Sequence, residues 1–162
     1  NRGKGAALRA GFEAALALGA RSILTIDADG QHEPSRAGAL LDALDSADVV
    51  VGVRARAGGM PLHRRMSNAL SSRAISACAG CVLPDAQSGF RAMRRRVVHE
   101  VRPAGDRYEF ESEFLILAGR GGYRIAAVPV PTIYGAPSHF HPVRDSARVI
   151  RAIWRHRSGA AH

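Results

Sequence analysis

The spacing of apolar residues predicts alternating helices and strands in the first third of the chain. Residues 6–18 are rich in Ala, Leu and Glu with apolar positions at helical spacing, so we predict a helix that ends at Gly19. Residues 22–26 and 48–54 are short runs of Val, Ile and Leu, which indicate strands covered on both faces in a parallel sheet. Residues 34–44 carry a helical stripe of leucines between them. Two strands joined by a helix form a βαβ unit, which predicts that these two strands are neighbours.

The rest of the chain continues the alternation. A helix is predicted from Leu62 to about Ala79, and a turn-rich stretch at 84–93 ends in a short strand. Residues 108–120 predict another helix, with acids in the first turn where they suit the helix dipole. A strand at 123–130 contains Pro129, which is typical of a sheet edge. The pattern as a whole indicates an α/β fold.

The strand at 22–26 ends in two acids, an amide and an imidazole. Asp27 and Asp29 follow it at the end where parallel sheets bind ligands. Because side chains alternate along an extended chain, we expect Asp27, Asp29 and Gln31 to point the same way. Two close carboxylates repel unless a positive charge lies between them, and oxygen ligands suit Mg²⁺ or Mn²⁺. We interpret this stretch as a metal site, with a solvated Asp-Gly turn as the alternative.

Composition narrows the class of protein. Residues 1–162, with 46% hydrophobic residues, are expected to form a single domain with a sizeable core. The formal charge of +9 and the isoelectric point near 11.1 indicate an anionic partner: nucleotide phosphates, a phospholipid surface or nucleic acid. There is no run of 18 apolar residues and no secretory signal, so the cytoplasm is the default expectation.

Several polar residues lie where a phosphate could bind. Lys4 stands between two glycines at a helix start, a position suited to phosphate although the spacing is not that of a P-loop. Arg54 ends the second strand and is expected beside the acids that follow the first strand. Arg64 lies near a helix start, where the helix dipole disfavours a cation unless an anion is bound. For Lys4 the alternative is an exposed helix start, and for Arg64 it is a solvated basic face. Asp85 is a candidate general base, hydroxyl-binding group or cap, and the arginines at 94–96 predict a solvated face.

Three further segments carry weaker signals. Cys78 and Cys81 have the spacing of a redox dithiol or half a zinc site, but a lone pair favours small packing residues. Residues 136–142 predict a loop that closes over a ligand. Residues 144–157 predict a basic amphipathic helix with a Trp, which either lies on a membrane surface or packs on the sheet.

Seven short motifs follow one another through the chain. They are Asn-x-Gly-Lys-Gly, Asp-Ala-Asp-Gly-Gln-His-x-Pro, Val-x-Gly-x-Arg, Gly-Met-Pro-x-x-Arg-Arg-x-Ser-Asn, Asp-x-Gln-Ser-Gly-Phe-Arg, Tyr-x-Phe-Glu-x-Glu and Gly-Tyr-Arg-Ile-x-x-Val-Pro. In this order they resemble the family 2 glycosyltransferases with the GT-A fold, and among these the dolichyl- or polyprenyl-phosphate sugar transferases. The resemblance covers essentially the whole chain. It implies a Rossmann-like, mostly parallel sheet flanked by helices that lacks the family's first N-terminal strand or strands.

The resemblance implies a metal-dependent, inverting transfer of a hexose. The donor is a nucleotide sugar of the GDP-mannose or UDP-glucose type, and the acceptor is a lipid phosphate at the cytoplasmic face of the membrane, which the protein contacts peripherally. By this analogy Asp27, Asp29 and Gln31 hold Mg²⁺ or Mn²⁺ against the donor diphosphate. The family's base-recognising acid is absent, so the nucleotide stays open.

The resemblance also places residues around the substrates. Arg54, Arg64 and Ser67 are expected near the phosphate of the acceptor or donor, where a forked, permanently charged guanidinium is well suited. An ionised lipid phosphate needs little deprotonation, whereas for an alcohol acceptor Asp85 is the expected base. The sugar and acceptor pocket is expected to include Asp85, Gln87, Ser88 and Arg91, with His139 in a mobile loop.

Two other functions compete with this hypothesis. A non-catalytic basic domain that binds an anionic membrane or nucleic acid would show steep salt dependence and no metal requirement. Nucleotidyl transfer on a similar sheet would share the metal, but a lysine-rich phosphate signature is missing. The enzyme hypothesis is preferred, and it involves no nucleic acid.

Overall fold

The computed structural model of the chain describes residues 2–54, 62–83 and 85–131, without the side chains of 62–68. In this part of the chain the predicted helices and strands are present, and the hydrophobic pattern did not predict one further helix at 95–100. The elements are α1 (Lys4–Ala17), β1 (Ser22–Thr25), α2 (Ala37–Asp42), β2 (Val49–Arg54), α3 (Leu62–Ala79), β3 (Arg91–Arg94), α4 (Arg95–Glu100), α5 (Glu109–Arg120) and β4 (Ile125–Val130), with 3-10 turns at Pro34–Arg36 and Ala43–Asp45. The predicted loop at 136–142 and helix at 144–157 lie outside the described residues.

The four strands form one mixed sheet in the order β1-β3-β2-β4. β3 is antiparallel to both of its neighbours, while β2 and β4 are parallel. The prediction that β1 and β2 are neighbours is wrong, because Met93 of β3 pairs with Ile23 on one side and with Val49 on the other. Ala92 and Met93 are almost wholly buried, so β3 is apolar on both faces and suits the centre of the sheet. β1, β2 and β4 nevertheless run in one direction, and their carboxyl ends lie at one edge.

Two apolar layers enclose the sheet. Helices α1, α3 and α5 cover one face, where Ile75 and Phe114 belong to the same buried cluster as Val49. Helix α2 covers the other face, where Leu40 clusters with Val50. Successive strand residues thus alternate between the layers, and each fully buried large side chain contributes about 1.5–3 kcal/mol. None of the described helices has the length and apolar composition needed to cross a membrane.

The two cysteines are packing residues in their described environment. Cys78 and Cys81 are half-buried, and both pack against the cluster on the α3 side of the sheet. Burial raises the pKa of Cys81, which lowers its thiolate fraction at neutral pH. This environment agrees with the interpretation favoured from the sequence.

The arginines at 94–96 bind two other parts of the chain: the residues just before β2 and the end of α1. Arg94 donates to two backbone carbonyls in the segment before β2, and Arg95 donates to two carbonyls at the end of α1. Arg96 pairs with the carboxylate of Asp48. Arg95 and Arg96 are exposed, as predicted for a solvated face, but each guanidinium also contacts the protein.

Asp48 joins the starts of β2 and β4. Its backbone N–H donates to the Arg124 carbonyl (2.8 Å), and its Oδ2 accepts a hydrogen bond from the Arg124 N–H (2.9 Å). Burial by itself raises the pKa of Asp48, but the Arg124 N–H and the Arg96 guanidinium outweigh this effect and hold the pKa below its ordinary value. The ionised carboxylate is therefore the form that stabilises the fold.

We expect Asp48→Asn to destabilise the protein at neutral pH and to matter less in acid. A carboxyl with a lower pKa in the folded than in the unfolded state stabilises the fold above the unfolded value, and this contribution is lost as pH falls through the folded value. Urea unfolding of the parent and Asp48→Asn should therefore converge below about pH 4. The control is Asp42→Asn at an exposed carboxyl. A difference in unfolding free energy that is constant with pH would contradict the assignment.

Candidate functional site

The acids that follow β1 lie on a turn. β1 ends at Thr25, Gly30 has φ +72°, and Asp29 Oδ1 accepts a hydrogen bond from the Gln31 N–H at 3.0 Å. Asp27, Asp29 and Gln31 therefore do not alternate along an extended strand as predicted, because an Asx-type hydrogen bond and a glycine in the left-handed region turn the chain here. The three residues remain close in sequence at the carboxyl end of β1.

Asp27 already has a cationic partner. Lys4 Nζ lies 2.6 Å from Asp27 Oδ1 and 2.7 Å from Glu111 Oε2. Burial lowers the pKa of Lys4, but the carboxylates of Glu111 and Asp27 outweigh this effect and raise the pKa above its ordinary value. Lys4 is therefore an ammonium that bridges the start of α1, the end of β1 and the start of α5.

The glycines on either side of Lys4 allow this bridge. Gly3 has φ +102°, and a Cβ built on it would lie 2.6 Å from the Asp106 carbonyl oxygen. A Cβ on Gly5 would lie 2.7 Å from Phe110 Cβ. The start of α1 therefore packs closely against the segment before α5. In the described structure, the glycines of the Gly-Lys-Gly motif allow the start of α1 to pack closely against the segment before α5. This packing places Lys4 between two acids.

Gly89 makes room for the Asp27 carboxylate. A Cβ on Gly89 would lie 2.5 Å from the carboxyl carbon of Asp27, closer than atoms can pack. Thr25 Oγ1 donates to the Gly89 carbonyl oxygen at 3.0 Å, which ties this loop to the end of β1. The glycine of the Gln-Ser-Gly-Phe-Arg motif is thus part of the wall beside Asp27.

His32 is a buried imidazole on which four of the charged groups act electrostatically. It is 8% exposed, and its ring centroid is 5.3 Å from that of Phe90. Burial is the main cause that lowers the pKa of His32, and Arg54 acts in the same direction, so the imidazole is neutral at about pH 7. The carboxylates that act on it in the opposite direction are Asp27, Asp29 and Asp85.

Arg54 and Asp85 form a two-pronged ion pair. Arg54 Nε is 2.7 Å from Asp85 Oδ2, and Nη2 is 2.9 Å from Oδ1. The side chains are 18% and 9% exposed. The strand end that carries Arg54 therefore faces Asp85. The expectation that Arg54 lies beside Asp27 and Asp29 stays a prediction. A role for Asp85 as general base requires this pair to open.

Arg91 supports the loop between α3 and β3. The residue is 3% exposed, and its guanidinium donates to the carbonyls of Ser88 (2.7 Å), Ala86 (3.0 Å) and Glu111 (3.0 Å). Ser88 is also buried, whereas Gln87 is half-buried. These contacts of Arg91 are with protein carbonyls. Its place in the sugar and acceptor pocket stays a prediction.

Three predicted site residues have no described side-chain position. Arg64 and Ser67 belong to α3, but their side chains lie outside the described part of the chain. His139 lies outside the described residues altogether. The quoted motifs contain Glu111, His32 and Gly89, but no site role was predicted for them from the sequence. Glu111 lies between Phe110 and an apolar run, which places its carboxylate on a buried helix face. A buried carboxylate needs a partner, and this was the available signal for Glu111.

The residues of the acidic turn fit a divalent cation in their chemistry. Two carboxylates and one amide oxygen are the donors that Mg²⁺ and Mn²⁺ prefer. The ammonium of Lys4 lies 2.6 Å from Asp27 Oδ1, so the carboxylate of Asp27 already stabilises a positive charge at this position. Nδ1 of His32 is buried, and no described group bonds to it. Within the described ranges, no group of three or more His, Cys, Asp or Glu side chains is arranged to hold a metal, so ligation here would depend on Gln31.

Comparison with known proteins identifies relatives. The chain is 36% identical over 143 residues to the UDP-N-acetylglucosamine--dolichyl-phosphate N-acetylglucosaminyltransferase of Methanococcus voltae, covering 83% of this chain and 57% of the relative. It is 32% identical over 135 residues to the undecaprenyl-phosphate mannosyltransferase of Micrococcus luteus, covering 79% and 56%. The chain therefore spans little more than half the length of these relatives.

A solved structure shares the fold. Glucosyl-3-phosphoglycerate synthase from Mycobacterium tuberculosis, in complex with Mn²⁺, UDP-glucose and phosphoglyceric acid, superposes with a TM-score of 0.73 at 22% identity, covering 96% of this chain and 55% of that one. The predicted GT-A type of fold is confirmed, with a mixed sheet flanked by helices. The profile of Glycosyl transferase family 2 matches residues 1–102. Because this match covers well over half of the chain, the chain belongs to glycosyl transferase family 2.

Proposed function

We propose that this chain carries the sugar-transfer site of an enzyme that moves a hexose from a nucleotide sugar to a polyprenyl or dolichyl phosphate. The observation that carries the proposal is the ion pair Arg54–Asp85 at the end of β2, together with the acids Asp27 and Asp29 after β1, in a family 2 chain. Both sets of charges act electrostatically on the buried His32. Relatives named for undecaprenyl and dolichyl phosphate support this acceptor class.

The ion pair of Arg54 supports an acceptor that arrives already ionised. Both carboxylate oxygens of Asp85 accept hydrogen bonds from Arg54, so a proton taken from an alcohol would go to a carboxylate that is already in an ion pair. A phosphate oxygen needs no such base. Guanidinium groups bind phosphate through paired hydrogen bonds, so Arg54 can exchange one carboxylate partner for the acceptor phosphate. Direct attack by that oxygen on the sugar would invert the anomeric carbon, and inversion is part of the proposal.

The acidic turn is proposed to hold Mg²⁺ or Mn²⁺ through Asp27, Asp29 and Gln31. When bound, such an ion neutralises charge that develops on the departing nucleotide diphosphate. The protein side of this arrangement is preorganised: the Asx-type hydrogen bond holds Asp29, and Gly89 leaves space for the carboxylate of Asp27. The donor is proposed to be a nucleoside-diphosphate hexose, of the GDP-mannose or UDP-glucose type.

Membrane contact is proposed to be peripheral and at the cytoplasmic face, where the phosphate of the lipid would meet the site. The formal charge of +9 supports attraction to anionic lipids. The same charge favours the competing hypothesis of a non-catalytic basic domain. The two hypotheses differ in whether a divalent cation is needed.

Transfer of labelled sugar from GDP-mannose, UDP-glucose or UDP-N-acetylglucosamine to a short polyprenyl phosphate tests the proposal. We expect product with one of these donors in Mn²⁺ or Mg²⁺, none in EDTA, and none with the corresponding free polyprenol. Liposome sedimentation with and without Mn²⁺ is measured in parallel. Lipid binding that is steeply salt-dependent, indifferent to metal and unaccompanied by transfer would instead support the non-catalytic domain.

A further inference from the structure

Lys4 is held by two carboxylates from different elements. Asp27 follows β1 and Glu111 lies in the first turn of α5, at 2.6 and 2.7 Å from the ammonium nitrogen. The side chains of Lys4 and Asp27 are 24% exposed and that of Glu111 is 9% exposed. Water therefore screens these ion pairs only in part.

The backbone around Lys4 is fixed. The Ala6 N–H donates to the Asp106 carbonyl at 3.0 Å, and Arg9 pairs with the Asp106 carboxylate at 2.7 Å. The close approach of Gly3 and Gly5 to the same segment leaves the start of α1 little freedom. A change in the partners of Lys4 is therefore a matter of side-chain rotation, with the helix in place.

Lys4 is also the single lysine in a chain with 23 Lys and Arg residues. An ammonium is a compact charge that fits between two carboxylate oxygens, whereas a guanidinium is a wide, planar fork. The position is thus occupied by the cationic side chain that most resembles a small ion.

We propose that Lys4 is a built-in counter-ion of the acidic turn, which neutralises Asp27 while no divalent cation is bound and stays on Glu111 when such a cation displaces it. This inference rests on the proposed function in taking Asp27 as a ligand of the cation. Two cations at one carboxylate repel each other, so binding of the ion and the Lys4–Asp27 contact oppose each other. Glu111 keeps the ammonium paired after the exchange, which avoids leaving a half-buried charge alone.

Binding of Mn²⁺ alone, without nucleotide, tests the inference. Electron paramagnetic resonance of free Mn²⁺ gives the dissociation constant for the parent, Lys4→Met and Arg73→Met. Arg73→Met is the matched control, because it removes one exposed positive charge from α3. We expect Lys4→Met to bind Mn²⁺ about fivefold or more tightly than the parent, and Arg73→Met to stay within about twofold. Unchanged or weaker binding by Lys4→Met, or an equal gain in Arg73→Met, would overturn the inference.

A measurement on the unmodified protein covers the case in which Lys4→Met does not fold. Because the chain has one lysine, ¹⁵N-lysine labelling gives a single side-chain ammonium signal. We expect this signal to shift as Mg²⁺ is added, with the midpoint at the concentration that displaces Mn²⁺. A signal that stays in place at saturating Mg²⁺, or a parent that binds no Mn²⁺, would refute the counter-ion role.

These measurements use neither donor nor acceptor, so they separate this inference from the proposed function. Sugar transfer together with an unchanged Mn²⁺ affinity in Lys4→Met would remove the inference and leave the proposed function. Tighter Mn²⁺ binding in Lys4→Met without any transfer would do the reverse.

Discussion

Asp29→Asn is expected to lower metal-dependent sugar transfer by roughly 100-fold or more, since a bound cation contributes several kcal/mol of charge stabilisation. Asn keeps an oxygen that can accept the hydrogen bond from the Gln31 N–H, so the turn is retained and only the charge is lost. Asp27 shares its charge with Lys4, whereas no ion pair of Asp29 is found in the described part of the chain. Asp29 is therefore the acid whose charge is most available to the cation.

The Asp29 prediction is checked by transfer rate and Mn²⁺ affinity, with circular dichroism to verify folding. Asp42→Asn, at an exposed acid of α2, is the control and should behave as the parent. Full activity of Asp29→Asn would exclude the metal assignment.

Gly89→Ala tests the neighbouring carboxylate sterically, because the new methyl group would displace Asp27. We expect the rate of sugar transfer to fall about 10- to 100-fold. The control is Gly38→Ala, because a Cβ at Gly38 has open space.

Arg91→Met is expected to lower the free energy of unfolding by about 3–5 kcal/mol. The substitution keeps an unbranched side chain of similar length but removes the donors for three carbonyl oxygens. It also removes the positive charge 3.9 Å from Glu111 Oε1. Because the guanidinium joins the loop at 86–88 to the start of α5, its loss should disturb both sides of the candidate site.

Urea unfolding followed by circular dichroism measures the effect of Arg91→Met. The matched control is Arg95→Met, which also removes a guanidinium that donates to two carbonyls but does so at an exposed position. We expect the control to cost about 1 kcal/mol or less. Equal losses of unfolding free energy in the two variants would mean that Arg91 is no more than a surface contact.

For the acids at the start of α5, the sequence pattern predicts the helix position but not the binding partners. From the sequence they suit the helix dipole, and the helix does begin there. In the structure they bind different partners. Glu111 pairs with Lys4, whereas Glu113 Oε2 accepts hydrogen bonds from the N–H groups of Ala104 and Gly105 at 3.0 and 2.9 Å. The dipole explains why acids are tolerated in the first turn, but not which partners they bind.

The sequence alone determined the order and kind of the elements and the concentration of charge just after β1 and β2. Hydrophobic spacing is a property of neighbouring residues, so it predicts α5 or β2 without knowledge of the fold. Motif order likewise pointed to family 2 and to the GT-A type of fold. The acids of the turn, Arg54 and Asp85 could all be named before any coordinates.

Only the tertiary structure decided which of these groups meet. β3 lies between β1 and β2 because its buried residues fill both layers, and strand pairing of this kind depends on contacts far apart in sequence. Lys4 reaches Glu111, and Arg54 closes on Asp85, through the same packing. The sequence determines where a charged residue lies along the chain, but folding determines its partner. Burial brings distant elements within hydrogen-bonding distance and removes the competing water, and the partner then defines the chemical role of the charge.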